Sequence, residues 1–237
     1  MEIDGCVVPD DLRYDLENDI WFRWRSPGEE GEIGLTSSLA SFAGRILTVS
    51  FRPVTGTIAQ GRSLGTIESV RYTGPVRVPV DAKVLEVNEE LIRRPKWIND
   101  SPYERGWFAR ILPLDPQRVD QALETAAAIR DRWAKKIRDL HIRCYPAAPD
   151  MELYEIGAEC SAVLAALDDE LARHPPDDVV LLVTDDPTSP IEFERWSDRT
   201  GHSVLHHHAE GTLHHFLVRK EADPHPRRRG PTGPLSA

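Results

Sequence analysis

Cysteine is scarce in this chain: only Cys6, Cys144 and Cys160 occur in 237 residues, and no two stand as a Cys-x-x-Cys pair. Three scattered cysteines exclude a disulfide framework, so each thiol is judged alone. Long apolar runs are absent too. None approaches the roughly 20 residues that a membrane helix needs, and the first residues, Met1-Glu2-Ile3-Asp4, lack the basic and apolar regions of a signal peptide. No membrane partner is expected, and the expected location is cytoplasmic. Basic charge is in deficit as well, with 29 Lys and Arg against 39 Asp and Glu, a net charge of −10 and a pI near 5.4. Nucleic-acid binders carry a basic stripe, so no nucleic-acid partner is expected.

What is present describes a folded protein. Hydrophobic residues make up 40% and charged residues 29%, the composition of a soluble globular chain with a packed core. The length allows one domain or two. Over the first hundred or so residues, short β-branched and apolar runs alternate with Gly and Pro. Ile20–Trp24, Arg45–Phe51, Ser63–Val70, Val76–Pro79 and Lys83–Val87 read as strands, with Pro53-Val54-Thr55-Gly56 as a turn signal between two of them. One brief helix interrupts them, capped by Thr36, running from Ser37 to Phe42 and stopped by Gly44. From Asp115, an N-cap followed by Pro116, apolar residues recur at Val119, Leu123, Ala126, Ile129, Trp133, Ile137 and Leu140. Steps of three and four predict one long amphipathic helix over 116–140.

Two prolines then mark residues 142–151 as a linker. Beyond it the pattern is strand (Leu153–Ile156), helix (Ser161–Arg173), buried strand (Val179–Thr184), helix (Pro190–Thr200, ended by Gly201) and two strands. Those last two, Ser203–His208 and Leu213–Val218, are joined by the loop Ala209-Glu210-Gly211. The alternation predicts a small two-layer α/β sandwich. The stretch from Pro224 through Arg227-Arg228-Arg229 to Pro231 has no apolar content with which to fold, and residues 222–237 are expected to be disordered.

The first half resembles the glycine cleavage H protein. Asp19-Ile20-Trp21, Gly34-Leu35-Thr36, Gly65-Thr66-Ile67-Glu68-Ser69-Val70, Pro79-Val80, Val84 to Leu91, Asn99-Asp100-Ser101-Pro102-Tyr103 and Gly106-Trp107 follow that family's order. The resemblance implies a lipoyl-domain-like fold: an all-β barrel-sandwich hybrid with a C-terminal helix, over residues 14–141 after an extension of residues 1–13. In the family Glu-Ser-Val is followed by the lysine that carries lipoate, whereas here Glu68-Ser69-Val70 leads into Arg71. A guanidinium stays protonated and is a poor nucleophile, so lipoate is not expected and no other cofactor is indicated. Arg71, beside Glu68, reads either as a docking group for a carboxylate or phosphate or as a solvated surface residue.

Residues 152–221 are similar to the TusA family of sulfur carriers. Leu153-Tyr154-Glu155-Ile156-Gly157-Ala158-Glu159-Cys160 and Val183-Thr184-Asp185-Asp186-Pro187 carry the resemblance. It implies a βαβαββ sandwich whose cysteine, here Cys160, receives persulfide sulfur from a desulfurase and passes it on, with Asp185 and Asp186 in the matching binding motif. A cysteine at a helix start faces the positive end of the dipole, which favours thiolate. The family's Cys-Pro-x-Pro is here Cys160-Ser161-Ala162-Val163, so the helix start lacks its stiffening prolines. Cys6 and Cys144 are candidates for a second relay thiol, or are incidental. His206 and His208 share a strand face that His214 or His215 could join; a solvated sheet face is the favoured reading, and no metal is assigned.

Neither half shows a triad or paired carboxylates, so a carrier, sulfurtransferase-like at most, is expected rather than a true enzyme. The leading reading is a non-lipoylated docking module fused to a carrier of sulfur on Cys160. Its partners would be a cysteine desulfurase or other sulfur donor, a sulfur-accepting protein and lipoate-dependent proteins. The alternatives are a scaffold without chemistry in either half, and ordinary glycine cleavage, which Arg71 disfavours.

Overall fold

The β-branched and aromatic runs of the N-terminal half pair into sheets in the computed structural model, which describes residues 1–26, 28–53 and 56–225. The chain divides into two units, Met1–Ala148 and a second from Pro149 onward. The first begins with β1 (Glu2–Ile3), β2 (Cys6–Val7), β3 (Arg13–Asp15), β4 (Ile20–Trp24), β5 (Gly31–Leu35), α1 (Ser37–Ala43) and β6 (Ile46–Phe51). It continues through β7 (Thr57–Ile58), β8 (Ser63–Ser69), β9 (Thr73–Arg77), β10 (Ala82–Val87), α2 (Glu90–Arg93), α3 (Trp97–Asp100) and β11 (Trp107–Pro113). It closes with α4 (Pro116–Ala122), β12 (Glu124–Thr125) and α5 (Ala126–Asp139).

A seven-stranded sheet, ordered β12-β3-β4-β5-β11-β10-β7, accompanies a three-stranded sheet, β6-β8-β9, and the β1-β2 hairpin. Ile33, Leu64, Ile67, Val76 and Phe108 belong to one buried cluster that draws on both larger sheets. A second cluster seats α5, through Ile129, Trp133 and Ile137, against Tyr14 and Trp21. Trp133 meets Tyr14 edge to face at 4.9 Å, and its Nε1 donates to Ser38 Oγ at 2.9 Å. Lys136, one turn on, reaches the half-buried carboxylate of Asp19 at 2.7 Å. Polar ends are satisfied while apolar bodies are buried, each large side chain contributing about 2–3 kcal/mol.

Two expectations are corrected here. The stretch 116–140 is two helices: after α4, Glu124 and Thr125 extend to pair with Tyr14 and Arg13 of β3. Thr125 then caps α5, its Oγ1 accepting from Ala128 N at 3.3 Å. Val119, Leu123, Ala126 and Ile129 are all buried, so the apolar period runs unbroken through a backbone that a threonine has reset. Cys6 and Cys144, expected as relay or incidental thiols, are joined in a disulfide across 138 residues, with Cα atoms 4.9 Å apart. Such a bond belongs to oxidising surroundings or to an oxidised state of the chain, a condition the expected cytoplasmic location does not ordinarily supply. No helix of the described residues is long and apolar enough to cross a membrane.

The second unit runs β13 (Met151–Glu155), α6 (Cys160–Arg173), β14 (Val179–Thr184), α7 (Ser189–Thr200), β15 (Ser203–Glu210) and β16 (Leu213–Arg219). Its mixed sheet is ordered β13-β14-β16-β15. β13 and β14 are parallel, which requires the α6 crossover, and β14–β16 and β15–β16 are antiparallel. Val163, Leu167 and Leu171 of α6 and Phe193 and Trp196 of α7 pack on Val180, Leu182, Phe216 and Val218. Glu210 pairs with Leu213, so the last hairpin turns on Gly211-Thr212 rather than on a three-residue loop. Of the tail expected to be disordered, residues 226–237 lie outside the described residues, while the backbone of His225 lies against Gly201.

Because the disulfide closes so long a loop, Cys6→Ser should lower the unfolding free energy by about 4 kcal/mol in urea titration. Alkylation of the unreduced native protein should label one cysteine, read by intact mass.

Candidate functional site: a hairpin tip and a helix-start thiol

The hairpin tip is built by β8 and β9, whose last pair is Glu68 with Thr73. Ser69 N donates to Tyr72 O at 2.8 Å to close the turn. The Ser69 hydroxyl then does three things: it donates to Ala43 O at 2.7 Å and accepts from Arg71 N at 3.2 Å and Tyr72 N at 3.0 Å. One side chain thereby fixes both the turn and its seat on the end of α1. Val70 projects into solvent with 89% of its surface exposed. Arg71 and Glu68 are exposed too, and the Arg71 guanidinium folds back over Gly44, where an added Cβ would come within 2.5 Å of Nη2. Gly44 has φ of 72°, a backbone conformation that disfavours any side chain at that position.

In the second unit, Cys160 is the first residue of α6 and is only 8% exposed. Two aspartates from the end of β14 fasten the loop before it. Asp185 Oδ1 accepts from Gly157 N at 2.7 Å, and Asp186 Oδ2 accepts from Cys160 N at 2.7 Å. Asp186 Oδ1 takes the Thr188 N–H at 2.7 Å and its hydroxyl at 2.6 Å. These bonds from Thr188, with the Cys160 N–H and nearby His214 adding to them, hold the Asp186 carboxyl below the usual carboxylate range.

The same anchoring corrects the expectation of a favoured thiolate. Burial pushes the Cys160 thiol up, the negative charges of Asp186 and Glu192 push it further, and a hydrogen bond with Thr188 opposes them only in part. The positive end of α6 is already spent on Asp186. At rest Cys160 is a thiol.

The histidines pair on both faces of the last hairpin: His206 and His208 share one face, their rings 6.4 Å apart, as expected. His214 lies opposite Thr184, the last residue of β14. Its Nδ1 is 3.1 Å from His207 Nε2, and the His207 ring stacks on Phe216 at 4.5 Å. Burial, then the neighbouring His214, His206 and His208, lowers the His207 pKa. Of the two candidates to join His206 and His208 it is His215 that does so, its ring 6.1 Å from that of His208, because a register shift between Val204 and His206 sets His208 opposite His215. Among the described residues no group of three or more His, Cys, Asp or Glu side chains is placed to hold a metal ion. Sequence reasoning missed Ser69, Thr188 and Glu192; only Asp186-x-Thr188, a side-chain-to-backbone turn pattern, left a legible trace.

The sequence pattern of the glycine cleavage H-protein family matches residues 12–136. Glycine cleavage system H protein 2 of Aquifex aeolicus (strain VF5) is 32% identical over 143 residues, covering 60% of this chain and 88% of its own. The glycine cleavage system H protein of Geobacillus sp. (strain WCH70) is 36% identical over 116 residues, covering 49% and 89%. The crystal structure of a glycine cleavage system H protein from Mycobacterium marinum aligns at 25% identity, covering 53% of this chain and 98% of that one, with a TM-score of 0.47.

Asp186→Asn keeps an acceptor for the Cys160 N–H and removes the charge that disfavours thiolate. A raised thiol pKa means little thiolate near neutral pH, so the substitution should move the pH profile of iodoacetamide alkylation to lower pH. The rate near neutrality should rise several-fold. A superimposable profile would show that the Asp186 charge does not set the thiol.

Proposed function

Since the chain belongs to the glycine cleavage H-protein family through residues 12–136, we propose that it is a non-lipoylated member fused to a carrier of persulfide sulfur. The H-protein-like unit docks partners, among them lipoate-dependent proteins, and the TusA-like βαβαββ unit accepts and relays sulfur on Cys160. The observation that carries this reading is the position of Cys160: among the cysteines it alone lies outside the disulfide, and it opens α6 where Asp185 and Asp186 fix the approach loop.

The transfer balances without an added oxidant. Cys160 Sγ attacks the terminal sulfur of a donor persulfide, such as that of a cysteine desulfurase; the bond between the two donor sulfurs breaks, and the donor leaves as thiolate. The Cys160 proton ends on the donor thiol. Net, one persulfide and one thiol give one thiol and one persulfide, and the same step in reverse order loads an accepting protein. The raised thiol pKa favours the alternative, a scaffold with no chemistry in either half, to the extent that no donor overcomes it.

Incubation with a cysteine desulfurase and cysteine, followed by intact mass, should show a gain of one sulfur atom that Cys160→Ala abolishes. No gain under conditions that load a known carrier would leave the scaffold reading in its place.

Arg71 and Glu68 are, on this reading, the docking face of the hairpin, the guanidinium fork being suited to a carboxylate or phosphate. Because the Ser69 hydroxyl ties the turn to the end of α1, Arg71→Lys should make the protein a substrate for a lipoate ligase, seen as one lipoyl adduct by mass. Failure to label a folded Arg71→Lys variant would show that ligase recognition depends on more than the turn and the amine.

A further inference from the structure

Strand β8 spans Ser63 to Ser69, so at about 3.3 Å per residue its beginning lies about 20 Å from the hairpin tip. There three neighbouring strand ends bring three arginines together. Arg52 follows β6, its N–H bonded to Leu64 O at 2.8 Å; Arg62 precedes β8, its carbonyl accepting from Val78 N at 2.9 Å. Arg77 ends β9 opposite Ser63. All three are exposed and line one groove of about 590 Å³, whose apolar wall is Ile58, Pro53 and Pro75.

Among the described residues no carboxylate lines that groove, and none of the three guanidinia has a carboxylate partner. Arg77 Nη1 donates to Gly61 O at 2.7 Å, which orients its fork. In a chain with ten more acidic than basic residues, three like charges line one groove, and the nearby Asp81 carboxylate is engaged by Gln60 N at 2.7 Å. Their mutual repulsion is relieved by an anion. Guanidinium forks match phosphate oxygens two at a time, and three of them suit more than one phosphate. The wall of Ile58 and two proline rings offers a flat apolar surface to a ring. The volume falls in the range of about 300–1,000 Å³ typical of small-molecule sites, and the lining has no carboxylate or carboxamide side chain with which to read one base from another.

We propose that this groove is a binding site for a nucleoside polyphosphate, its phosphates on Arg52, Arg62 and Arg77 and its base against Ile58, Pro53 and Pro75. The site shares no residue with either carrier motif.

Calorimetric titration of the full-length protein at low salt, with ADP, GDP, pyrophosphate and adenosine as probes, tests it. ADP and GDP should bind alike, pyrophosphate about tenfold more weakly and adenosine without measurable heat. The double variant Arg52→Ala/Arg62→Ala should weaken ADP at least about tenfold, as expected for two lost charge-assisted contacts. Neither arginine side chain bonds another described residue, so the variant should melt like the parent, and Cys160→Ala should bind ADP unchanged. Absence of saturable ADP binding, adenosine or pyrophosphate binding as tightly as ADP, or an ADP affinity unaltered in a folded double variant would each overturn the assignment.

Discussion

The last carbonyls of a seven-residue helix must find donors, and much of the first unit is arranged around that requirement. Helix α1 ends at Ala43, leaving carbonyls that no further turn can satisfy. Asn99 Nδ2 donates to Ala40 O at 2.9 Å and Gly44 O at 2.8 Å, while its Oδ1 accepts from Ile46 N at 2.9 Å. Ser69 Oγ takes Ala43 O at 2.7 Å. A buried carbonyl left unmet costs about 1–3 kcal/mol, so the start of β6, the α3 segment and the hairpin turn are all located by where α1 stops. The other end of the helix is held in the same way, Thr36 capping Leu39 N at 3.3 Å.

Seen from that constraint, the two candidate sites differ in how structure and chemistry are coupled. At the hairpin, Ser69 fixes the turn, and residue 71 gives its backbone N–H to that hydroxyl. An arginine there changes what the tip can carry, while the strand pairing up to Glu68 and Thr73 is kept. At Cys160 the fixing groups are carboxylates, and the charge that anchors the loop also disfavours the thiolate. Position and reactivity are separable in the first unit and opposed in the second.

The parts legible in the sequence were those whose cause is local. Thr36, Gly44, Asp115 and Gly201 mark helix ends by their own chemistry, and the continuous run Val179–Thr184 marks a buried strand. Strand β5 was not read because Gly31 and Gly34 look like punctuation. They are strand residues whose missing side chains are replaced by rings: an added Cβ would meet Phe22 Cζ at 2.3 Å and Trp21 Cζ2 at 2.6 Å. β3 is only three residues long, Arg13–Asp15, too short to show an alternation. The Cys6–Cys144 bond spans 138 residues, a pairing that no spacing rule reaches. The thiol was misjudged for the same reason: the helix dipole is visible at Cys160, but the opposing charges of Asp186 and Glu192 arrive from other elements.

That opposition bears on how a carrier of this design would work. A thiolate is the form that reacts with sulfur donors, and also the form that oxidants attack. Held as a thiol by burial first and by Asp186 and Glu192 in addition, Cys160 would gain thiolate character when something neutralises those carboxylates. A donor protein presenting basic side chains at the mouth of α6 would do so on docking, lowering the thiol pKa in the complex and leaving it high in the free chain. Loading would then depend on the right partner rather than on exposure alone. Tethering strengthens that logic, because a partner held by the family domain meets the thiol at an effective concentration set by the connecting segment rather than by its bulk concentration. On the proposed reading the H-protein-like unit needs no lipoate for this purpose; it needs only the surface that its intact hairpin frame still presents.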